Sequence, residues 1–278
     1  MTYFNNLGQG RVGFKTPSGG GGVDADAQAF ITAASITDTT QQSAITTLVT
    51  DLKGYGIWSK MKALYPFVGG TAAQHRFNLK DPRTVNAAFY LDFLGGGTHS
   101  ATGYLPNGTT SYADTKLIPS AVQTLNSNGM GMYLGTLNTA IASDPIHMGV
   151  VQSPSQASVL LVNKANTNIF ARGNGNFIAS STINALGLIS SHKTSSTLTT
   201  LYKNSTNVGS GNSGGSLPTV RIALANVSAG PSSFIPYGSG WTNSEHRLTY
   251  ISDGLDSTDM TNLYNSVQAY QTTLGRAV

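Results

Sequence analysis

The sequence predicts a mainly β protein, an antiparallel β-sandwich of the jelly-roll type with an N-terminal helical segment and a C-terminal amphipathic helix. Three observations support this prediction. Short runs with period-two or β-branched character recur from about residue 72 to 252, turn residues separate them, and strands do not alternate with helices. About ten to twelve short strands at regular spacing are typical of a sandwich or barrel, whereas a parallel sheet needs helices between its strands.

The predicted strands lie in a series of short segments: AAFYLDFL, SAVQTLNS, GMGMYLGTL, HMGVVQS, ASVLLVNK, TNIFARG, LGLISSHK, TLTTLYKN, TVRIALANV and HRLTYIS. Turn signals separate them, at PNG 106–108, NGM 128–130, GNGN 173–176 and GNSGG 211–215. We interpret the low-complexity stretch 204–216 as a hairpin with a long polar loop, because strands lie on both sides of it. Residues 72–278 are therefore predicted to be one sandwich that includes the final helix.

Residues 1–22 are predicted to be an attachment arm. Gly19 to Gly22 form a flexible tether, and the residues before them are polar apart from a few large apolar side chains. These apolar residues, the candidate anchors for another subunit, are Tyr3, Phe4, Leu7, Val12 and Phe14. The alternative is a disordered tail, although a tail that serves only solubility rarely carries so many aromatic residues.

Residues 23–71 are predicted to be a helical segment packed on the sandwich. Asp24 and Asp26 suit a helix N-terminus, and Thr39 with Gln42 fits a capping box for a second helix. A third helix is predicted through IWSKMKAL, before Pro66. Apolar residues at helical spacing form the buried face of the second helix: Ala44, Ile45, Leu48, Val49 and Leu52.

The last helix follows a predicted strand at 247–252 and a tight turn at Asp253-Gly254. Asp256 or Ser257 can cap it, and Gly275 stands where a C-terminal glycine belongs. One face is apolar: Met260, Leu263, Tyr264, Val267, Tyr270 and Leu274. Since an isolated helix of this length is marginal in water, it must dock on the preceding sheet or on a neighbouring subunit.

The composition excludes several classes of function. Only 10% of the 278 residues are charged and none is cysteine, so disulfides and thiolate chemistry are absent. The net charge of +4 is not concentrated in a stripe of Lys and Arg, which argues against nucleic-acid binding. No apolar run approaches the ~20 residues that span a membrane, and MTYFNNLGQGRVGFK lacks the apolar region of a signal peptide. We therefore expect synthesis in the cytoplasm and release by a route such as lysis.

The end of the chain resembles concanavalin A-like sandwich modules of the laminin-G-like kind. The matching pieces are TLTTLYKNST at 197–206, TVRIALANV at 219–227 and RLTYISDGLDSTDMTNLY at 247–264. The usual Asn-Gly turn of that family is replaced here by Asn204-Ser205-Thr206. This resemblance implies a concanavalin A-like fold.

More narrowly, residues 24–278 resemble a module of tailed-bacteriophage virion proteins. The resemblance rests on the unbroken stretch DLKGYGIWSKMKALYPFVGGTA at 51–72, on the C-terminal helix, and on residues before the stretch: Thr37, Asp38, Gln41, Ala44, Ile45, Leu48 and Val49. It implies a virion location, with other virion proteins as partners through the arm, and a structural protein such as a capsid decoration, head fibre or tail fibre component. We also expect a homo-oligomer, whose copy number no residue fixes.

Catalysis is not expected from the sequence. Retaining glycosidases of this fold set two carboxylates on one strand face, about 5 Å apart. Glu245 is the one glutamate, and no strand carries alternating acids. Ser, His and Asp residues are all present, but no GxSxG elbow occurs. The histidines lack metal-ligand spacing and are predicted to be ordinary loop or surface residues: His75, His99, His147, His192 and His246.

No cofactor is expected, and calcium is the one metal that the sequence leaves open. Ca²⁺ takes six to eight oxygens, usually with two or more carboxylates, whereas the acids here are isolated in sequence. The candidate ligands are Asp81, Asp92, Asp114, Asp144 and Asp253.

The alternative function is a receptor-binding or adhesin module that recognises a host or environmental glycan. Aromatic residues in loop-like sequence can stack on sugar faces, and GPSSFIPYGSGW at 230–241 is the richest such stretch. The candidate glycan-binding residues are Phe234, Tyr237, Trp241, Tyr104 and Tyr112. These aromatics could instead close the end of the sandwich or form a subunit contact.

Overall fold

The computed structural model describes residues 22–137, 144–162, 168–173, 177–180, 184–212, 214–229 and 239–278. The predicted arm therefore lies outside the described residues except for Gly22. The described helices are α1 (Ala25–Ala33), α2 (Thr39–Gly54), α3 (Ala72–His75), α4 (Pro119–Val122) and α5 (Ser257–Thr273). Two short 3-10 turns cover Trp58–Lys60 and Asn86–Ala88.

Two sheets, each of eight described strands, form the sandwich. The strands are β1 (Met61–Tyr65), β2 (Asp92–Leu94), β3 (Thr98–Ser100), β4 (Gly103–Leu105), β5 (Tyr112–Asp114), β6 (Asn128–Leu134), β7 (Ile146–Ser153), β8 (Gln156–Val162), β9 (Ile169–Gly173), β10 (Phe177–Ala179), β11 (Gly187–Lys193), β12 (Leu198–Lys203), β13 (Thr206–Asn212), β14 (Ala223–Leu224), β15 (Ser228–Ala229) and β16 (His246–Ser252). The helix-side sheet has the order β13-β12-β11-β6-β16-β4-β3, with β1 also paired to β16. The outer sheet has the order β10-β9-β8-β7-β14-β5-β2, with β15 also paired to β7. Apart from β15 beside β7, the described pairs are antiparallel, which confirms the predicted sandwich.

The core between the sheets follows one cross-strand row of the outer sheet. Successive partners in this row all belong to the inter-sheet core: Phe93, Ala113, Leu224, Met148, Leu160, Ala171 and Ile178. Because side chains alternate between the faces of a strand, the neighbours of these residues point to the outer face of the outer sheet. One of the two clefts described below lies on this outer face and depends on the alternation.

A helical layer covers the other face of the helix-side sheet. Apolar residues of α1, α2 and α5 form one buried cluster with Tyr133, Leu188 and Tyr250 of the sheet. Asp256 caps α5 in a reciprocal capping box with Asp259. The apolar face of α5 thus packs on the sheet, as expected from its sequence. Among the described helices, none has the length and apolar character needed to cross a membrane.

The structure corrects four local predictions. Met61–Tyr65 is a strand paired with β16, not part of a third helix, so the predicted helical segment ends at Lys60. Asp38, not Thr39, caps α2 by accepting a hydrogen bond from the Gln41 backbone. SAVQTLNS contains the end of α4 and a turn, not a strand. The hairpin predicted within 204–216 is present between β12 and β13, but Thr206–Asn212 is an edge strand and not part of a loop.

Candidate ligand-binding site

Loops from three parts of the chain meet at one end of the sandwich and enclose a cleft of about 340 Å³. We call it the rim cleft. Its lining residues are Leu105, Pro106, Thr136, Leu137, Asn243 and Glu245. Leucine and proline side chains provide apolar walls, while an amide, a hydroxyl and a carboxylate provide hydrogen-bonding groups. This mixture of an apolar lining with a few polar groups is typical of small-molecule sites.

Asn107 fixes the loop that forms one wall of the rim cleft. Its Oδ1 accepts hydrogen bonds from the backbone nitrogens of Thr110 at 2.9 Å and of Ser111 at 3.0 Å, and its Nδ2 donates to the Gly95 carbonyl at 2.8 Å. An asparagine that bonds the backbone beyond it stabilises a tight turn. The loop is therefore held in one shape without a bound ligand.

Tyr112 and Trp241 form an aromatic pair, and both are close in sequence to segments that line the rim cleft, although neither is among its described lining residues. Their ring centroids are 6.3 Å apart and the rings are tilted by 47°. Tyr112 lies at the start of β5 directly opposite Leu94, which is 43% exposed, and Trp241 precedes Asn243 of the cleft by two residues. Both rings are half-buried. The fold thus brings together two of the predicted glycan-binding residues that lie far apart in the sequence.

Glu245 is held by the protein itself at the base of the rim cleft. Its carboxylate accepts hydrogen bonds from the Thr102 hydroxyl and from Arg247 Nε, the latter at 2.8 Å. Its backbone nitrogen donates to the Thr136 hydroxyl at 2.8 Å. Glu245 is the one carboxylate among the six lining residues, whereas glycoside hydrolysis uses two.

The prediction for Tyr104 is wrong. It lies in β4 and is completely buried, so its ring cannot stack on a ligand. The ring packs against Phe93 at a centroid distance of 4.8 Å and against His99 at 4.9 Å. The neighbouring glycine and the PNG turn gave this residue the appearance of a loop residue.

The other predicted site residues lie outside the described residues. These are Phe234 and Tyr237, together with the arm residues Tyr3, Phe4, Leu7, Val12 and Phe14. The described flanks of segment 230–238 lie towards opposite ends of β7, since Ala229 pairs with Val151 and the Gly240 carbonyl accepts a hydrogen bond from the Ile146 backbone at 2.7 Å.

The histidines are not ordinary surface residues, contrary to the prediction. His75 and His99 are in contact, and His147 stacks on His246 with centroids 6.0 Å apart. His75, His147, His192 and His246 are buried. Burial lowers the pKa of His75, His192 and His246 to about 3, and that of His147 well below its usual value. No sequence signal identified these contacts, because the histidines come from helix α3 and from four separate strands.

Ion pairs hold the candidate calcium ligands Asp81, Asp92, Asp114 and Asp253. Lys116 Nζ lies 2.6 Å from Asp92 and 2.8 Å from Asp114, and Arg221 lies 2.7 Å from Asp114. Asp81 pairs with Arg83 and Asp253 pairs with Lys62. The fifth, Asp144, lines a different cleft. Within the part of the chain that the structure describes, no group of three or more His, Asp or Glu residues is arranged to hold a metal ion.

Comparison with known proteins shows a similarity of fold. No protein-family model matches this sequence, and no curated protein matches it either. Among solved structures, the chain is similar to one of botulinum neurotoxin type C, a toxin whose cell entry depends on interaction with two ganglioside molecules. That match has 12% identity, a TM-score of 0.55, and covers 77% of this chain and 52% of the other. A second is the binding domain of botulinum neurotoxin DC in complex with rat synaptotagmin II, with 12% identity, a TM-score of 0.54, and coverage of 76% and 52%.

These likenesses establish the architecture. The neighbours are mainly β binding domains, and this chain spans about half of the length of each matched structure. At this level of identity, shared architecture does not fix a ligand, because unrelated functions recur on one fold. We therefore infer the class of ligand from the residues that line the rim cleft.

Proposed function

We propose that this protein is a non-catalytic carbohydrate-binding module whose site is the rim cleft with the Tyr112–Trp241 pair. The observation that carries the proposal is this half-buried aromatic pair, in which Trp241 precedes by two residues the Asn243 that lines the cleft. A half-buried aromatic ring offers an apolar surface that needs no rearrangement to receive a ligand.

The chemistry of sugars matches this arrangement. A sugar ring presents an apolar C–H face and a polar edge of hydroxyl groups. The tilted rings of Tyr112 and Trp241 can cover the apolar face, while Asn243 adds an amide to the polar part of the cleft lining. One of the two solved structures with similar folds supports this class of ligand, since the cell entry of that toxin depends on ganglioside molecules, whereas the other is in complex with a protein.

We propose that the module does not catalyse hydrolysis of its ligand. Glu245 is engaged by Thr102 and Arg247 and has no second carboxylate beside it in the lining of the cleft. A general acid needs a partner base or nucleophile on the other side of the scissile bond. Both structural neighbours named above are also binding proteins by their descriptions.

The setting that we propose is a bacteriophage particle, with the sandwich displayed on the virion and the arm attached to other virion proteins. The support is the resemblance at 51–72, together with a surface poor in charge and the absence of cysteine. In the structure this stretch runs from the end of α2 through β1 to the start of α3. A purely structural virion role, as a capsid decoration or fibre component, is the second candidate, and it needs no glycan.

A glycan array probed with the labelled full chain tests the proposed function. We expect binding to a defined group of glycans, and we expect Trp241→Ala to reduce that binding about tenfold or more. Tyr55→Ala is the matched control, because Tyr55 is an exposed aromatic residue on the helical layer, away from the rim cleft. The proposal is wrong if the folded wild-type protein binds no glycan, or if Trp241→Ala and Tyr55→Ala bind alike.

A further inference from the structure

A second cleft, of about 330 Å³, lies on the outer face of the outer sheet. Its lining residues are Asp144, Leu161, Phe170 and Phe177. Leu161 of β8 pairs directly with Phe170 of β9, and Phe177 of β10 is the diagonal neighbour of Phe170. Their strand neighbours belong to the inter-sheet core, so these apolar side chains face outwards.

Phe177 is unusually exposed for its size. At 56% exposure it exceeds every other large apolar side chain among the described residues. Arg172 lies over its ring at 5.0 Å from the centroid and donates a hydrogen bond to the Pro154 carbonyl at 2.6 Å. The basic group thus supports the ring in an exposed position. Contiguous exposed apolar surface of this kind marks an interaction site.

We propose that the second cleft binds the N-terminal arm, residues 1–21, of a second copy of this chain. The arm carries the apolar residues that such a cleft would accept: Tyr3, Phe4, Leu7, Val12 and Phe14. Its charged side chains are Arg11 and Lys15, and it contains no acidic residue. Asp144 is the one charged residue among the four that line the second cleft, and Arg172 lies over the Phe177 ring; we assign the basic residues of the arm to the Asp144 side.

The arm leaves the domain on the side away from the second cleft, and we assign the contact to another copy. The arm joins α1, which belongs to the helical layer, whereas the second cleft lies on the far face of the outer sheet. An extended arm of 21 residues spans about 70 Å at ~3.3 Å per residue, which is enough to reach a neighbour. Two different surfaces then meet at each contact, as in a head-to-tail ring or filament.

Sedimentation velocity of the full chain over a wide concentration range tests this inference. We expect self-association of the wild type, weakened about tenfold or more by Phe177→Ser in the cleft or by Phe14→Ser in the arm. Tyr55→Ser is the matched control, since Tyr55 is 50% exposed and lies on the helical layer. We expect this control to associate like the wild type.

A charge exchange tests the partner directly. Asp144→Lys should weaken association with the wild-type arm, and mixing it with a chain carrying Arg11→Asp and Lys15→Asp should restore association. The inference is overturned if the wild type is monomeric at every concentration, if Phe177→Ser and Tyr55→Ser behave alike, or if the exchanged charges restore nothing. The glycan array does not depend on these outcomes.

Discussion

His75 and His99 face each other with their Nδ1 atoms 3.0 Å apart. Because one nitrogen must donate and the other must accept, this contact holds only one proton between the two rings. Burial lowers the pKa of His75 to about 3, and burial also lowers the pKa of His99. The pair also contacts β2, since the His99 ring packs edge-to-face with Phe93 of that strand at a centroid distance of 4.4 Å.

The first prediction is a loss of stability in mild acid. The pKa of His75, His192 and His246 is about 3 in the folded protein and about 6.5 in the unfolded chain, so the unfolded chain binds more protons between these values. The free energy of unfolding should therefore fall as the pH drops below about 6.5. At pH 5 each of these histidines should lower it by about 2 kcal/mol relative to neutral pH.

Urea unfolding at a series of pH values measures this effect. Replacing His246 by Asn should reduce the dependence on pH, because one proton fewer is then taken up on unfolding. A free energy of unfolding that stays constant from about pH 7.5 to pH 5 would contradict the assignment of these histidines as buried and neutral.

The strands and helices with strong local patterns could be predicted from sequence. The strands β7, β8 and β16 carry apolar or β-branched runs, and α5 carries both its cap and its apolar face. Met61–Tyr65 was predicted as helix because Trp58, Met61 and Leu64 also fit helical spacing. Pairing of β1 with β16 overrides that local preference. The sequence of β13 has no apolar pattern because two of its residues are the glycines Gly209 and Gly211. They lie where the two sheets approach each other, and an added Cβ would be 2.7 Å from Ala179 and 3.0 Å from Ile178, respectively.

The candidate site was predictable only in part. Tyr112 and Trp241 were recognised as aromatic residues in loop-like sequence, but their contact depends on the sheet order. Asn107 and Asn243 were missed as site residues, although the PNG turn at 106–108 marked the first of these loops. Tyr104 failed because sequence cannot tell a buried ring beside a turn from an exposed one.

The second prediction concerns Arg276, whose guanidinium is buried and bonded largely to backbone carbonyls. It donates to Pro66 at 2.8 Å, to Phe67 at 2.9 Å and to Thr102 at 3.1 Å. Arg276→Ala would leave these buried acceptors without a donor, so we expect a loss of about 3 kcal/mol or more in the free energy of unfolding. Arg83→Ala is the control, since Arg83 is an exposed partner of Asp81 and should cost less than about 1 kcal/mol. Equal losses for the two variants in urea unfolding would refute the anchoring role.

The third prediction compares two glycine-to-alanine variants. A Cβ at Gly131 would lie 2.6 Å from the Tyr250 ring, which is buried and held by His192 through a 2.8 Å hydrogen bond. Gly131→Ala should therefore destabilise the protein by about 1–3 kcal/mol. A Cβ at Gly54, the last residue of α2, would meet no atom within 4 Å, so Gly54→Ala should stabilise it by about 0.5–1 kcal/mol. Thermal unfolding of both variants checks the signs, and an unchanged or raised midpoint for Gly131→Ala would disprove the close packing.

The fourth prediction tests the rim cleft by its own fluorescence. The chain has two tryptophans, and Trp58 is buried beneath Lys80, whose Nζ lies 4.4 Å from its ring centroid. Replacing Trp58 by Phe leaves Trp241 as the sole indole, so its emission reports the aromatic pair with Tyr112.

A titration of this variant with a glycan identified on the array is the most direct measurement. We predict a saturable change in Trp241 emission, with a midpoint equal to the dissociation constant from calorimetry. A glycan that binds by calorimetry without changing Trp241 emission would contradict the rim cleft as the binding site.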